Sequence, residues 1–442
     1  MMNKVWIVIL RKKILSILFR KQKQDAKKIY HFLKKEQNID CVNQFQNASL
    51  ADILHNASQK VNNYLGIISD CISDWPIVDK EIIRKSPKDF TDNNYPFYNK
   101  IKFNTGGSTG EPFEFHTTRI AGYVDQAHQL FFHEKIGYKK NDKIFSFGGL
   151  SVSDKMKRQK IYWEKTEFSD ATYGSYNYSS LYFNDEEVII KILENLSKKK
   201  PAFLRGYPST LSEIAQFINK TGYTLNFKLK GIMLTAENIL PWQVDLINQV
   251  FAVPVYGEYG HSEKCVYAFT EANSLVYKCS PYYGYVEILD DNNLHVKEGE
   301  IGRIVVTSYF NKAMHFIRYD TGDLAEYGGR DSNGWVIFNS IIGRQQDFIY
   351  DKNKNKIIVT ALIFGQHLHA FSNIKKWQIE QEKAGEVIVN IVKGENYSLN
   401  DESEIQKKLF DQWDINAQFS YVESIPLTAR GKFRLVNSKI KD

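Results

Sequence analysis

AFLRGYPSTLSEIAQFINKTGYTLNFKLKGIMLTAEN, residues 202–238, decides the architecture. Its ends, AFLRGY (202–207) and LKGIMLTA (229–236), are short apolar and aromatic runs of strand length. Between them, STLSEIAQFINKTG (209–222) repeats its apolar residues at helical spacing. That helix is expected to open on Ser209 or Thr210 as N-cap and to stop at Gly222. Outward from it, DKIFSFG (142–148) and VPVYGEY (253–259) predict further strands, and PWQVDLINQVFA (241–252) a further helix. Strand and helix alternating, with Pro or Gly at the junctions, is the pattern of an α/β fold.

The flanks read differently. Residues before about Lys80 are mainly helical in pattern, as in IYHFLKK (29–35) and LADILHNASQKVNNYL (50–65). Near Asn292 the pattern turns strand-rich, through LHVKEGEIGRIVVTS (294–308), MHFIRYDTGDLAEYG (314–328) and the segment from Gly334 to Val359. After Arg344 comes a small module. WQIEQEKAGEVIVNIVKG (377–394) predicts a hairpin turning at Ala384 and Gly385, DESEIQKKLFDQW (401–413) a helix capped by Asp401 or Ser403, and AQFSYVES (417–424) a strand. The 442 residues exceed the usual ~100–200 per domain. Three regions are expected: a helical region packed on the large domain (1–97), a core (98–345) and a small C-terminal domain (346–442).

Composition narrows the function classes. The net charge is +7, yet Met1 to Lys35 holds eleven Lys or Arg against the single Asp25, so the remainder is slightly acidic. A nucleic-acid-binding body would spread its basic excess over a folded face, and nucleic acid is therefore not expected as a partner. The longest apolar run of the first helix, Val5 to Leu10, is too short for a signal peptide or a membrane span. Residues 1–35 are read as an ordinary first helix packed on the body, with peripheral contact to an anionic membrane as the competing reading. The four cysteines stand far apart without a Cys-x-x-Cys pair, which fits reduced thiols in a cytoplasmic, or membrane-associated cytoplasmic, protein.

Five stretches carry chemistry. FNTGGSTGEPFEF (103–115) encloses Thr105, Gly106, Gly107, Ser108, Thr109 and Gly110 between strand-like flanks. Its glycines let backbone N–H groups approach an anion, and its hydroxyls add donors. No Gly-Lys-Ser/Thr follows, so it is not a P-loop. YGEYGHSEK (256–264) offers Tyr259, Gly260, His261 and the carboxylate of Glu263, a side chain suited to Mg²⁺ beside a triphosphate. HFIRYDTGDLAEY (315–327) supplies Asp323, whose acceptors suit ribose hydroxyls. IIGRQQDF (341–348) places Arg344 at the expected boundary, and SIPLTARGKFRLV (424–436) carries Lys432 after Gly431.

Taken in this order, the five stretches resemble the adenylate-forming superfamily of acyl-CoA synthetases and adenylation domains. Within it the chain is most similar to the phenylacetate–CoA ligase-like group, in its capsule and lipopolysaccharide biosynthesis branch. The likeness runs from about Tyr98 to the C-terminus. It implies a large α/β domain with mixed sheets, flanking helices and a β-rich subdomain, plus a small mobile α+β C-terminal domain. By that resemblance, residues 105–110 wrap the ATP phosphates; Ala236, Glu237 and Asn238, with Tyr259, Gly260 and His261, frame the adenine and acyl pocket. Glu263 ligates Mg²⁺, Asp323 and Arg344 hold the ribose, Gln346 is the hinge, and Lys432 is the catalytic lysine. The implied activity is ATP-dependent, AMP-forming activation of a small carboxylic acid, for acyl or aminoacyl transfer in surface polysaccharide biosynthesis. The acceptor stays open between CoA, a pantetheinylated carrier protein and an amino sugar; an aryl- or acyl-CoA ligase and a non-catalytic nucleotide-binding relative are the competing readings. Two departures stand out. Gln346 replaces the usual Asp or Lys, and IYDKNKNKIIV (349–359) lacks the glycines that line a pantetheine tunnel, looking instead like a hairpin turning at Asn353 or Asn355.

Overall fold

The computed structural model describes residues 19–35, 38–105, 113–149, 152–170, 174–182, 186–344, 348–359, 370, 373–394, 396–428 and 432–440. A two-stranded hairpin, β1 (Lys100–Thr105) and β2 (Phe113–Thr118), carries the Gly-rich stretch at its turn, with Thr105 opposite Phe113. Residues 106–112 themselves lie outside the described residues, as do Gln346 and residues 1–18.

The remaining strands of the large body form one twelve-stranded sheet. Its first strands are β3 (Ile144–Gly148), β4 (Trp163–Asp170), β5 (Gly174–Ser179), β6 (Phe203–Gly206), β7 (Gly231–Thr235) and β8 (Val255–Gly260). Strands β5, β3, β6, β7 and β8 lie side by side in parallel, with β4 antiparallel at the edge. Phe203, Leu204, Ile232, Met233 and Leu234 are fully buried, as expected of parallel strands covered on both faces. The antiparallel half comprises β9 (Tyr267–Thr270), β10 (Tyr277–Cys279), β11 (Gly284–Leu289), β12 (Ile301–Ser308), β13 (Tyr319–Arg330) and β14 (Val336–Arg344). It thus begins at Tyr267, well before the expected shift at Asn292. The cause is burial: YAFT in β9 is buried at every position, so it shows no alternation to read.

Local chemistry sets the helix ends, and two expected caps move. The helix Pro208–Thr221 starts with Pro208 in its first turn after Tyr207, not on Ser209 or Thr210. Proline lacks the N–H that would be orphaned there, and its fixed φ suits the first turn. Gly222 closes that helix at φ +68°, as expected. The helix Leu399–Trp413 is capped by Ser398, with Asp401 as its reciprocal capping-box partner.

A second hydrophobic core, centred on Trp377, Ile379, Val389, Ile391 and Leu409, is built only from residues 349–436. Here β15 (Phe348–Tyr350) pairs with β16 (Lys356–Ile358), and β17 (Ile374–Lys383), β18 (Glu386–Lys393), β19 (Asn416–Tyr421) and β20 (Val436–Ser438) form a sheet ordered 19-18-17-20. The β15–β16 turn is organised by Asp351, which accepts from the backbone N–H of Asn353 and Asn355, while Lys354 takes φ +64°. The large core runs from Leu50 to Phe338, so the helix Ile39–Lys60 shares it with the sheet.

Candidate active site

The carboxyl ends of β6, β7 and β8 lie side by side, the edge at which open α/β sheets bind ligands. Strands β7 and β8 reach this edge at two of the singled-out segments, 236–238 and 259–263. After β7 the chain turns at Ala236, whose φ of +69° lies in the left-handed region. A non-glycine residue there costs about 1–2 kcal/mol, so surrounding contacts must impose it.

Glu237 supplies those contacts. Its carboxylate accepts the N–H of Ser209 at 3.1 Å and the N–H of Phe433 at 2.7 Å. The first belongs to the opening turn of the helix Pro208–Thr221, which has no side-chain cap of its own, so Glu237 serves as its acceptor. The second belongs to the small C-terminal region. Burial raises the Glu237 carboxyl above its ordinary pKa, although both N–H groups and the Lys432 ammonium pull the other way. Next to it, the Asn238 side chain donates to the carbonyl of Ile342 at 3.2 Å, fixing this turn to β14 two residues before Arg344.

Lys432 stands on the chain that Glu237 holds. Thr428 and Lys432 bond to each other twice, Thr428 N–H to the Lys432 carbonyl at 2.9 Å and Lys432 N–H to Thr428 Oγ1 at 3.1 Å. The ammonium lies 5.9 Å from the centroid of the Tyr207 ring, within cation–π range at the end of β6. The lysine is thus half-buried and directed at the strand edge rather than loose on a surface loop.

Near the end of β8, Tyr259 donates its hydroxyl to Asp323 Oδ2 at 2.8 Å. Burial, helped by the Asp323 charge, pushes the Tyr259 phenol well above its ordinary pKa and keeps it a donor. Asp323 and Arg344 are register partners across β13 and β14, so the two expected ribose residues meet at one sheet position. Glu263 is buried; Tyr319 donates to its Oε1 at 3.2 Å, and His261 Nδ1 lies 3.3 Å from its Oε2. Burial would raise this carboxyl, but His261 and Tyr319 outweigh it and hold Glu263 ionised below the usual range. One ionised carboxylate completed by phosphate oxygens and water is a donor set that fits Mg²⁺.

Sequence reasoning missed four participants: Tyr207, Ser209, Tyr319 and the Phe433 N–H. Tyr207 alone had a signal, its place between a strand and a helix-opening Pro208. Arg318, in the same stretch as Asp323, serves the fold. It makes two bonds to Glu287, at 3.2 and 2.9 Å, and donates to the carbonyls of Ser73 and Trp75, clamping that segment to the sheet. Behind β8, a buried network joins Glu258 to Arg205 (2.5 Å) and Tyr267 (3.0 Å), and Asp125 to Lys264 (2.5 Å) and Tyr283 (2.8 Å).

Comparison with known proteins adds the following. Residues 349–439 match the family described as the CapK C-terminal domain. The chain is 26% identical over 447 residues to Protein CapK of Staphylococcus aureus, covering 96% of this chain and 90% of that one. Among solved structures, 2-hydroxyisobutyryl-CoA ligase in its postadenylation state, in complex with R3-HIB-AMP, matches with a TM-score of 0.67 at 17% identity over 89% of each chain. The same ligase with CoA in its thioesterification state matches at 0.51 and 16% identity over 89% of each. The GH3.15 acyl acid amido synthetase matches at 0.58 and 15% identity over 86% of each. The chain has the fold of adenylate-forming ligases.

Proposed function

From a chain with the adenylate-forming fold and a CapK C-terminal domain, we infer an ATP-dependent, AMP-forming ligase that activates a carboxylic acid as its acyl-adenylate. The observation that carries this reading is convergence. Segments as distant as Tyr207, Glu237, Tyr259, Glu263, Asp323 and Lys432 gather along one sheet edge, joined by hydrogen bonds and by the Lys432–Tyr207 contact.

In the proposed reaction a carboxylate oxygen of the acid attacks the α-phosphorus of ATP. The bond to the bridging oxygen breaks, and pyrophosphate leaves with that electron pair. Two anions must approach, so the transition state needs cations placed in advance. Lys432 is one, its ammonium delivered on a backbone that Glu237 anchors. Mg²⁺, when bound at Glu263, would supply further charge neutralisation. The Gly-rich stretch 105–110, carried by the β1–β2 hairpin, is assigned the phosphates, and Asp323 with Arg344 the ribose. The region from 346 onward is assigned as the small domain, pivoting at Gln346 for the second half-reaction.

For that half-reaction we assign an acyl or aminoacyl transfer to a sugar or carrier acceptor in surface polysaccharide biosynthesis. Two things support it: the relative CapK, and, for the sugar over either thiol acceptor, the glycine-free hairpin β15–β16, organised by Asp351, where a pantetheine tunnel would need glycines. The test has two stages. The protein with ATP, Mg²⁺ and a library of carboxylic acids is followed for pyrophosphate release, and Lys432→Ala is compared with the parent. Adenylate formation is expected to fall about 100- to 1,000-fold with ATP binding kept; unchanged turnover would remove Lys432 from the reaction. Preformed adenylate is then offered CoA, a pantetheinylated carrier or an amino sugar, and discharge by CoA alone would overturn the acceptor assigned here.

A further inference from the structure

A basic surface among the described residues takes no part in this chemistry. The helix Arg20–Lys34 turns Ala26, Ile29 and Leu33 inward onto the body. Outward it exposes Arg20, Lys21, Lys23, Lys27 and Lys28, with Lys34 and Lys35 at its end. Its one acid, Asp25, is paired with Lys28 at 2.9 Å. Lys34 is held by Glu134 at 2.7 Å. The apolar face is therefore already occupied, which supports the packed-helix reading of these residues and leaves a cationic face to solvent.

At the first turn of this helix stand two exposed aromatic side chains. Phe97 is 85% exposed and Tyr98 44%, with ring centroids 5.7 Å apart, edge to face. They are tied to the helix. Gln22 donates to Asn99 Oδ1 at 3.1 Å, Arg119 Nε donates to the Tyr98 carbonyl at 3.0 Å, and the Arg119 guanidinium lies 4.5 Å over the ring of Phe19. The cationic face and the aromatic pair form one continuous surface.

We propose that this surface docks the protein on an anionic lipid bilayer, the lysines meeting headgroups and Phe97 and Tyr98 entering the interface. Each lysine near an anionic leaflet contributes about 1 kcal/mol, and aromatic side chains favour the depth of the headgroups. A nucleic acid fits less well. It would need a charged groove interleaved with stacking rings, whereas this is the convex face of a helix with both aromatics at one end. Docking would leave the ATP site open. Strand β1 starts one residue after Asn99, and its six residues put Thr105 about 20 Å away.

The experiment is sedimentation of the full chain with vesicles of phosphatidylcholine alone or mixed with phosphatidylglycerol. Binding is expected only to the mixed vesicles and should weaken with added salt. The double variant Phe97→Ser, Tyr98→Ser and the triple variant Lys21→Glu, Lys27→Glu, Lys28→Glu should each weaken binding at least about tenfold. Pyrophosphate release with ATP and an acid should be unchanged in both, which shows that they fold. No binding to mixed vesicles, full binding by both variants, or displacement from the vesicles by a single-stranded oligonucleotide would each overturn the proposal.

Discussion

Glu237 stands where a strand end, a helix start and the Lys432 segment meet, and its carboxylate accepts from two of them. Hydrogen bonds to a charged group contribute roughly 1.5–3 kcal/mol each. Glu237→Ala should therefore lower kcat for adenylate formation at least about tenfold, while Glu237→Gln, which keeps one acceptor oxygen, should lose less. Equal losses would mean that charge alone matters there. Tyr259→Phe removes the hydroxyl that Asp323 accepts and should raise the KM for ATP about fivefold with a smaller change in kcat. Titration offers a check on the fold itself. Burial lowers His128 to about 4 and His315 to about 3. As pH falls below about 6.5 the unfolded chain takes up these protons first. The native state follows only near those lower values. Stability is thus full above about 6.5 and lost as pH falls, by up to about 1.4 kcal/mol per pH unit for each histidine. Urea midpoints at pH 7 and pH 5 should show the decline, and His128→Gln should make it shallower.

At the scale of elements, what could be read from the chain is what local chemistry writes there. The parallel strands, the Gly222 stop and the β17–β18 turn at Gly385 all follow from apolar runs and turn residues within a few positions. The flanks of the Gly-rich stretch were legible as strands, and they pair residue for residue. The antiparallel strands β9 and β11 were not legible, since burial on both faces erases alternation. The same holds for the site. Glu237 was placed in it, but its two partners lie 28 and 196 positions away and leave no local pattern. One glycine shows how closely the elements approach. A Cβ on Gly206 would sit 2.7 Å from the Phe147 Cβ and 2.8 Å from the Phe147 carbonyl of β3. Gly206→Ala should therefore lose about 1–3 kcal/mol of stability, seen as a lower Tm, and an unchanged Tm would contradict the contact between β3 and β6.

Across the whole molecule, among the described residues, the Phe433–Glu237 bond with the Lys432–Tyr207 contact beside it is one junction between the small C-terminal region and the large body, and a Lys376–Glu213 ion pair between β17 and the helix Pro208–Thr221 is a second. Burial draws the Lys376 ammonium down to about 8. If the small domain must turn between half-reactions, fixing this second point should stop the cycle halfway. In a chain with Cys41 and Cys71 changed to Ser, Glu213→Cys and Lys376→Cys can be joined by a short bis-maleimide. One turnover of pyrophosphate release with no acyl transfer is expected, and full cycling after crosslinking would contradict the rotation.

The Phe433 bond has another consequence, because its donor is main chain. Any residue except proline offers that N–H, so the tether is recorded as a distance along the chain and not as a letter in it. Two descendants of one ancestor could differ at position 433 and share the tether intact, while a single residue inserted between Lys432 and Phe433 would displace it and leave every side chain named in the site unchanged. Phe433→Pro, set beside Phe433→Ala to subtract the lost ring, isolates that one proton.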